Sequence, residues 1–368
     1  MELIDHAILS QEELKQLHRE MIQADSAVIA MDSCSELGNG VVDYLSKKSA
    51  IKGIGVSSTT FKNNEINNFP RESVRSKDVY IIGTGSNYHG SVNDNLMAMC
   101  GMIRACKNGS AKYITVVCSY LPYSRSDKKD QARTPIMAKL ICDIFKESGA
   151  DRLICVDLHA AQIQGMFDGP FDNLYAAKHL LAKIREDYPQ LRLVTVGVGP
   201  DSDVITEDSQ SPSVVVSPDA GGSKRTQDWA SDLKAPHTFL TKARDHNAVS
   251  KIINHKLVDN INLTNKLVLL VDDMGDTLGT LDSAAKILKE KGADKVIAVV
   301  THGIFSGDAF DYLARDNIDR IYVTNTLPQE NNMAKSSKIV VVDLSELVGL
   351  AILSCVNGSS MSLLFNKG

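Results

Sequence analysis

The stretch Lys266 to Leu281, KLVLLVDDMGDTLGTL, constrains the fold more than any other part of the chain. Its apolar run 267–271 is flanked by polar residues, the pattern of a strand buried on both faces as in a parallel sheet. A small polar loop follows, carrying Asp272, Asp273, Asp276, Thr277 and Thr280 with Gly275 and Gly279, and then a helical pattern, SAAKILKEKGA. Strand, loop and helix start together present backbone N–H groups, which suit a phosphate. Adjacent carboxylates would repel that phosphate, so they are expected to face hydroxyl groups or a divalent cation. A sugar phosphate satisfies both halves of the loop. The alternative is an acidic βα turn in an ordinary α/β protein.

Similar alternation runs through the chain. SAVIAMD reads as a first strand and SELGNGVVDYLSKK as the helix after it; FKNNEINNFPRESVRSKD reads as polar, turn-rich sequence. VYIIGTG is a further buried strand, and NDNLMAMCGMIRACKNG a helix with Asn93 or Asp94 as its cap. Later, VVVSPDAGGSKR predicts a short strand and a second loop for an anion or metal, and HTFLTKARDHNAVSKIINHKL a strand running out into polar sequence. Strands alternating with helices predict an α/β fold with mainly parallel sheets. A length of 368 residues predicts two domains.

An internal comparison supports that division. Residues 149–159, GADRLICVDLH, and 292–302, GADKVIAVVTH, are identical at six of eleven positions. Each follows a strand, a polar loop and a helix, the loops being SYLPYSRSDKKDQARTP and VDDMGDTLGT. This predicts a duplicated domain with diverged loops at equivalent rims, against the alternative of chance similarity between two βα units.

Composition narrows the function classes. A net charge of -5 gives no reason to expect nucleic acid or an anionic membrane as partner. No apolar run approaches the roughly 18 residues of a spanning helix. The seven cysteines lie mostly in apolar runs without metal-ligand spacing and read as reduced core residues, so a cytoplasmic location is expected. The extension at the start, with Ser10 and Glu13 as a possible capping box, has no signal-peptide core. There is no GxxxxGK[ST] loop, so any ATP must be bound by another device. Arg125, Lys128, Lys129 and Arg133 are one candidate, with a merely solvated charged loop as the alternative.

The motifs PYSRSDKKDQARTPIMAKL, VDLHAAQIQGMFDGPFDNLYA, VSPDAGGSKR, VDDMGDTLGT, THGIFSG, VTNTLPQE and NGSSMSLLF, in this order, resemble the ribose-phosphate pyrophosphokinase family, class I-like. The resemblance runs from about Phe61 to the C-terminus. It implies an N-terminal extension 1–25 and two tandem phosphoribosyltransferase-type domains, 26–175 and 176–354, with the tail 355–368 packing on the first. It also implies transfer of the β,γ-pyrophosphoryl group of ATP to O1 of ribose 5-phosphate with Mg2+, in a cytoplasmic homo-oligomer, a hexamer built from dimers.

Residue roles follow from the same resemblance. Asp272 and Asp273 match positions at the ribose hydroxyls, and Asp276, Thr277, Gly279 and Thr280 the 5-phosphate cradle. Phe61, Asn63 and Glu65 match the segment reaching the adenine of a neighbouring subunit, and Arg125 an ATP-phosphate contact; Ser126 replaces the usual glutamine beside it. His159 and Asp219 match magnesium-associated positions, and Lys242 and Arg244 the basic pair of a mobile catalytic loop. Ser73, Arg75, Arg133, Ser360, Ser362 and Phe365 match a site where phosphate activates and ADP inhibits. An apparent insertion near 193–213 departs from the family pattern. The competing readings are a non-catalytic regulatory member of the family and a phosphoribosyltransferase.

Overall fold

The computed structural model describes residues 11–129, 131–191, 212–244, 253–259 and 261–364. Ser10, Phe365 and nearly all of the apparent insertion lie outside these residues, as do the side chains of Lys242 and Arg244. The chain forms two compact units, one of residues 1–174 with 345–365, the other of residues 175–344 with 366–368. The C-terminal segment grouped with the first unit thus begins at Ser345, earlier than the 355–368 tail expected from sequence.

The first unit begins with α1 (Gln11–Ala24), β1 (Ser26–Ala30), α2 (Ser35–Lys48) and β2 (Lys52–Gly53). It continues with β3 (Val56–Thr60), β4 (Ile66–Pro70), β5 (Asp78–Gly83), α3 (Val92–Asn108) and β6 (Tyr113–Cys118). Next come α4 (Met137–Ser148), β7 (Arg152–Val156) and β8 (Phe171–Leu174). Six of these strands form one parallel sheet in the order β2-β1-β5-β6-β7-β8. α4 shows how the sequence specifies its packing. Ala138, Ile141, Cys142 and Phe145 recur at helical spacing and are all buried, and Gly149, at φ 115, ends the helix by donating its N–H to Phe145 O and Lys146 O. Truncating Phe145 to alanine would cost about 3–5 kcal/mol. Cys34, Cys100, Cys106, Cys118, Cys142 and Cys155 are buried free thiols of this unit, as expected of core residues. Burial pushes Cys34, Cys106 and Cys142 up to about 12.

The polar sequence around FKNNEINNF is not a loop. β3 and β4 form an antiparallel hairpin with Phe61–Glu65 at its tip, closed by the Phe61 N–H to Glu65 O bond. Its strands are mostly exposed, so no apolar alternation announces them.

The second unit begins with α5 (Ala177–Asp187), β9 (Ser213–Ser217), α6 (Ser223–Leu233), β10 (His237–Arg244) and β11 (Ile253–Leu257). It continues through β12 (Leu267–Gly275), α7 (Gly279–Glu290), β13 (Lys295–Gly303), α8 (Ala309–Leu313), β14 (Arg320–Thr324), α9 (Glu330–Met333) and β15 (Ile339–Val342). α10 (Ser345–Val356) then returns to the first unit and packs on α2. The sheet order is β11-β10-β9-β12-β13-β14-β15, parallel except where β11 pairs with β10. β12 is central, as its unbroken apolar run predicts, with Val268, Leu269 and Leu270 fully buried.

Strand order corrects the register of the internal repeat. Both sheets share one pattern, in which β1, β5, β6 and β7 correspond to β9, β12, β13 and β14. GADKVIAVVTH is therefore the counterpart of the segment entering β6, whereas GADRLICVDLH enters β7. The two segments look alike because each leads from a glycine at positive φ, Gly149 or Gly292, into a buried parallel strand. The counterpart of the acidic β12–α7 loop is accordingly the β5–α3 loop, 84–91.

Candidate active site

β12 carries the acidic loop out of the centre of the second sheet. Asp273 is buried and Asp272 partly so, while Thr277 and Thr280 are exposed at the start of α7. A Cβ on Gly275 would lie 2.9 Å from Leu278 Cδ2, so any side chain there would have to displace Leu278. Leu278, at φ 63, precedes α7 without a side-chain cap, so no side chain of the N-cap residue takes up the amides of the first turn. The segment after β13 braces the loop. Ile304 and Phe305 donate N–H bonds to Gly275 O at 2.9 and 3.0 Å, and Ser306 donates its N–H to Asp276 O at 3.1 Å. The Ser306 hydroxyl also donates to Asp276 Oδ1. Beneath lies a buried polar network, in which His302 Nδ1 meets Thr326 Oγ1 at 2.9 Å and Gln329 Nε2 donates to Gly303 O at 2.8 Å.

A second loop converges on these carboxylates from β9. Asp219 Oδ1 accepts the Gly221 and Gly222 N–H groups at 2.9 and 3.3 Å, folding DAGG into a turn that leads into α6. Arg225, in the first turn of α6, places Nη1 3.5 Å from Asp272 Oδ1 and 3.3 Å from Asp273 Oδ1. Asp272 Oδ1 also accepts the Asp273 N–H at 2.9 Å. Burial and then the neighbouring Asp273 charge hold the Asp272 pKa well above the usual carboxylate value, while Arg225 pulls it down. Along the chain Arg225 stands close behind the DAGG loop, and nothing in the local pattern marks it or Ser306 as part of the site. The reach of Arg225 across two βα units is not visible along the chain.

The other expected residues lie elsewhere. Phe61, Asn63 and Glu65 form the hairpin tip, where the Glu65 N–H donates to Asn63 Oδ1 at 3.3 Å and Phe61 is 50% exposed. Arg125 is exposed beyond β6. The Ser126 hydroxyl is used locally: it donates to Pro135 O at 3.2 Å and accepts the Met137 N–H at 3.3 Å, fixing the start of α4. His159 is exposed just beyond β7. Ser73 Oγ accepts the Arg75 N–H, Ser360 and Ser362 bond to each other at 2.6 Å, and Arg133 is exposed at φ 69. All these residues belong to the first unit, whereas Asp219 and the acidic loop belong to the second. Lys242 and Arg244 fall where β10 pairs with β11, opposite His255 and Ile253.

Known proteins share this chain's sequence and fold. Residues 26–149 match the N-terminal domain of ribose phosphate pyrophosphokinase, and residues 256–366 match the phosphoribosyl synthetase-associated domain. The chain is 40% identical over 312 residues to ribose-phosphate pyrophosphokinase 2 of Schizosaccharomyces pombe, covering 84% of this chain and 89% of that one. The crystal structure of phosphoribosylpyrophosphate synthetase from Mycobacterium smegmatis matches with a TM-score of 0.77 at 33% identity, over 91% of this chain and all of that one. The tandem parallel sheets and the overall sequence identity lead to one conclusion: the chain belongs to the ribose-phosphate pyrophosphokinase family of diphosphate-transferring enzymes.

Proposed function

We propose that the protein transfers the β,γ-pyrophosphoryl group of ATP to O1 of ribose 5-phosphate, giving phosphoribosyl pyrophosphate and AMP. The observation that carries this reading is the β12–α7 loop, where two carboxylates stand next to a helix start that lacks a side-chain cap. The carboxylates accept the ribose hydroxyls, and the amides and hydroxyls of Asp276, Thr277, Gly279 and Thr280 receive the 5-phosphate. The O1 hydroxyl oxygen attacks the β-phosphorus, the bond from that phosphorus to the α–β bridging oxygen breaks, AMP leaves with that oxygen, and the O1 proton passes to water. Such transfers depend on in-line positioning and on cations around the spreading charge, the part given to Lys242 and Arg244. No side chain is assigned as general base.

ATP is held by Arg125 beside Ser126, whose hydroxyl stays on the start of α4, with Phe61, Asn63 and Glu65 supplied by a second copy. The exposure of Phe61 on a projecting hairpin supports that role, in a homo-oligomer built from dimers and hexameric by family resemblance. His159 and the partly buried Asp219 offer an imidazole and a carboxylate. The Asp219 carboxylate of the second unit is the oxygen donor that Mg2+ favours, completed by phosphate oxygens and water, while His159 belongs to the first unit. The metal would neutralise phosphate charge when bound. Ser73, Arg75, Arg133, Ser360, Ser362 and Phe365 form the regulatory site for activating phosphate and inhibiting ADP, and the protein acts in the cytoplasm.

Incubating the purified protein with ATP, ribose 5-phosphate and Mg2+ tests the reading. AMP should form in step with phosphoribosyl pyrophosphate, and faster when inorganic phosphate is added. No AMP in the presence of phosphate would instead favour a regulatory, non-catalytic member of the family.

A further inference from the structure

The Asp272–Asp273 pair poses an electrostatic problem. Two consecutive carboxylates stand on the end of β12, with side-chain exposures of 27% and 5%. Like charges so placed disfavour each other's ionisation, and burial disfavours it further. A protonated carboxyl is a poorer acceptor for a sugar hydroxyl than an ionised one. A site that takes two hydroxyls through this pair therefore needs a fixed cation beside it.

Arg225 is placed to be that cation. Its Nη1 faces one oxygen of each carboxylate, at 3.5 and 3.3 Å, from the first turn of α6. The separations are at the long end of hydrogen bonding, so the contact is mainly charge pairing and does not require either carboxylate to be clasped in a tight fork. The same helix begins at the DAGG turn, so Arg225 also ties the spacing of the two loops together.

We infer that Arg225 is a positioning residue for the sugar, keeping Asp272 and Asp273 ionised and turned to accept the two neighbouring ring hydroxyls of ribose 5-phosphate. The inference rests on the reading of the β12–α7 loop as the sugar site and adds a specificity to it. Because Arg225 acts through carboxylates that meet hydroxyls, its loss should matter most for a sugar carrying both hydroxyls. A role confined to folding would weaken every ligand alike.

The test measures binding of ribose 5-phosphate and of 2-deoxyribose 5-phosphate by calorimetry to the wild type, Arg225→Gln and Arg225→Lys, alongside AMP formation and melting temperature. Arg225→Gln should weaken ribose 5-phosphate binding about tenfold, equivalent to about 1.4 kcal/mol, and 2-deoxyribose 5-phosphate binding less than about threefold. The KM for ATP should stay within about twofold, and Arg225→Lys should recover part of the loss, since it restores charge without the planar head. If Arg225→Gln does not fold, Arg225→Lys carries the same two-sugar comparison with a smaller difference. Equal weakening for both sugars, or none for ribose 5-phosphate, overturns the inference while leaving AMP formation by the wild type intact. A wild type that binds ribose 5-phosphate in an Arg225-dependent way yet forms no AMP overturns the transfer reading and upholds the inference. A wild type that binds no sugar phosphate overturns both.

Discussion

The β12–α7 loop and the β5–α3 loop leave the same position in two sheets of the same strand order, but their chemistry differs. At the first, the end of β12 brings Asp272 and Asp273, Asp276 follows in the loop, and the loop leads into α7 without a side-chain cap. The second, TGSNYHGS at 84–91, has no carboxylate, and its helix begins with a complete capping box between Ser91 and Asp94. It is also filled from within: Asn95 Nδ2 donates to Ser86 O and Tyr88 O, and Ser86 Oγ donates to Ser33 O. A Cβ on Gly85 would lie 2.5 Å from Pro122, so its backbone lies packed against the loop after β6. A helix start with one amide taken by its own cap and an acidic side chain folded back over it suits an anion less than one without a side-chain cap, which can receive a phosphate. The shared strand order gives two equivalent rims, and local capping separates the one suited to a sugar phosphate from the one that is closed.

The largest expected effect tests whether the acidic loop positions the sugar or also accelerates transfer. Lys242→Ala should lower kcat by at least about 100-fold while changing the KM for ATP and for ribose 5-phosphate only slightly, because stabilisation of the transferring group appears mainly in the transition state. Steady-state kinetics read this directly. An equal rise in both KM values with kcat unchanged would move that burden back to the loop.

A smaller effect concerns stability. The Asp272 pKa is raised in the folded protein, so ionising it works against the fold. The sign follows: stability is highest below the ordinary value of 3.8 and falls as pH rises through the elevated folded value. Asp272→Asn should therefore raise the melting temperature of the ligand-free protein at neutral pH, and the gain should disappear near pH 3.8. The same change should weaken ribose 5-phosphate binding. A pH-independent shift would mean that burial of this charge is not what the loop tolerates for function. No counterpart in the β5–α3 loop should show such a profile.

The smallest effect belongs to the closed loop. Ser91→Ala should cost about 1 kcal/mol of stability through loss of the α3 cap, seen in denaturant unfolding. The KM for ribose 5-phosphate should stay unchanged. A large change in that KM would bring the closed loop into the sugar site and undo the contrast.

Much of this contrast is legible along the chain, and some is not. The buried strand at 267–271 and the helix at 279 follow from apolar patterning, but the strand runs on to Gly275, so Asp272 and Asp273 stand on its end rather than in the loop, because their backbone keeps pairing with β13. The β3–β4 hairpin and β11 were not legible, because VSSTT, INNFP and INHKL lack the apolar alternation by which strands show themselves. The similarity of 149–159 to 292–302 pointed to two like domains but aligned β7 with β13, since any helix-to-buried-strand entry in such a sheet favours the same glycine and apolar run.

By itself the sequence determined the α/β class, the tandem organisation, the acidic loop and the family, because each is written in residues close together or in motifs of fixed order. Tertiary structure decided which loop is the counterpart of which, that Ser126 holds the start of α4, and that Arg225 reaches both Asp272 and Asp273. The physical reason is separation. Arg225 and Asp272 lie 47 positions apart, and only the pairing of β9 beside β12 brings a cation from one loop against the carboxylates of the other.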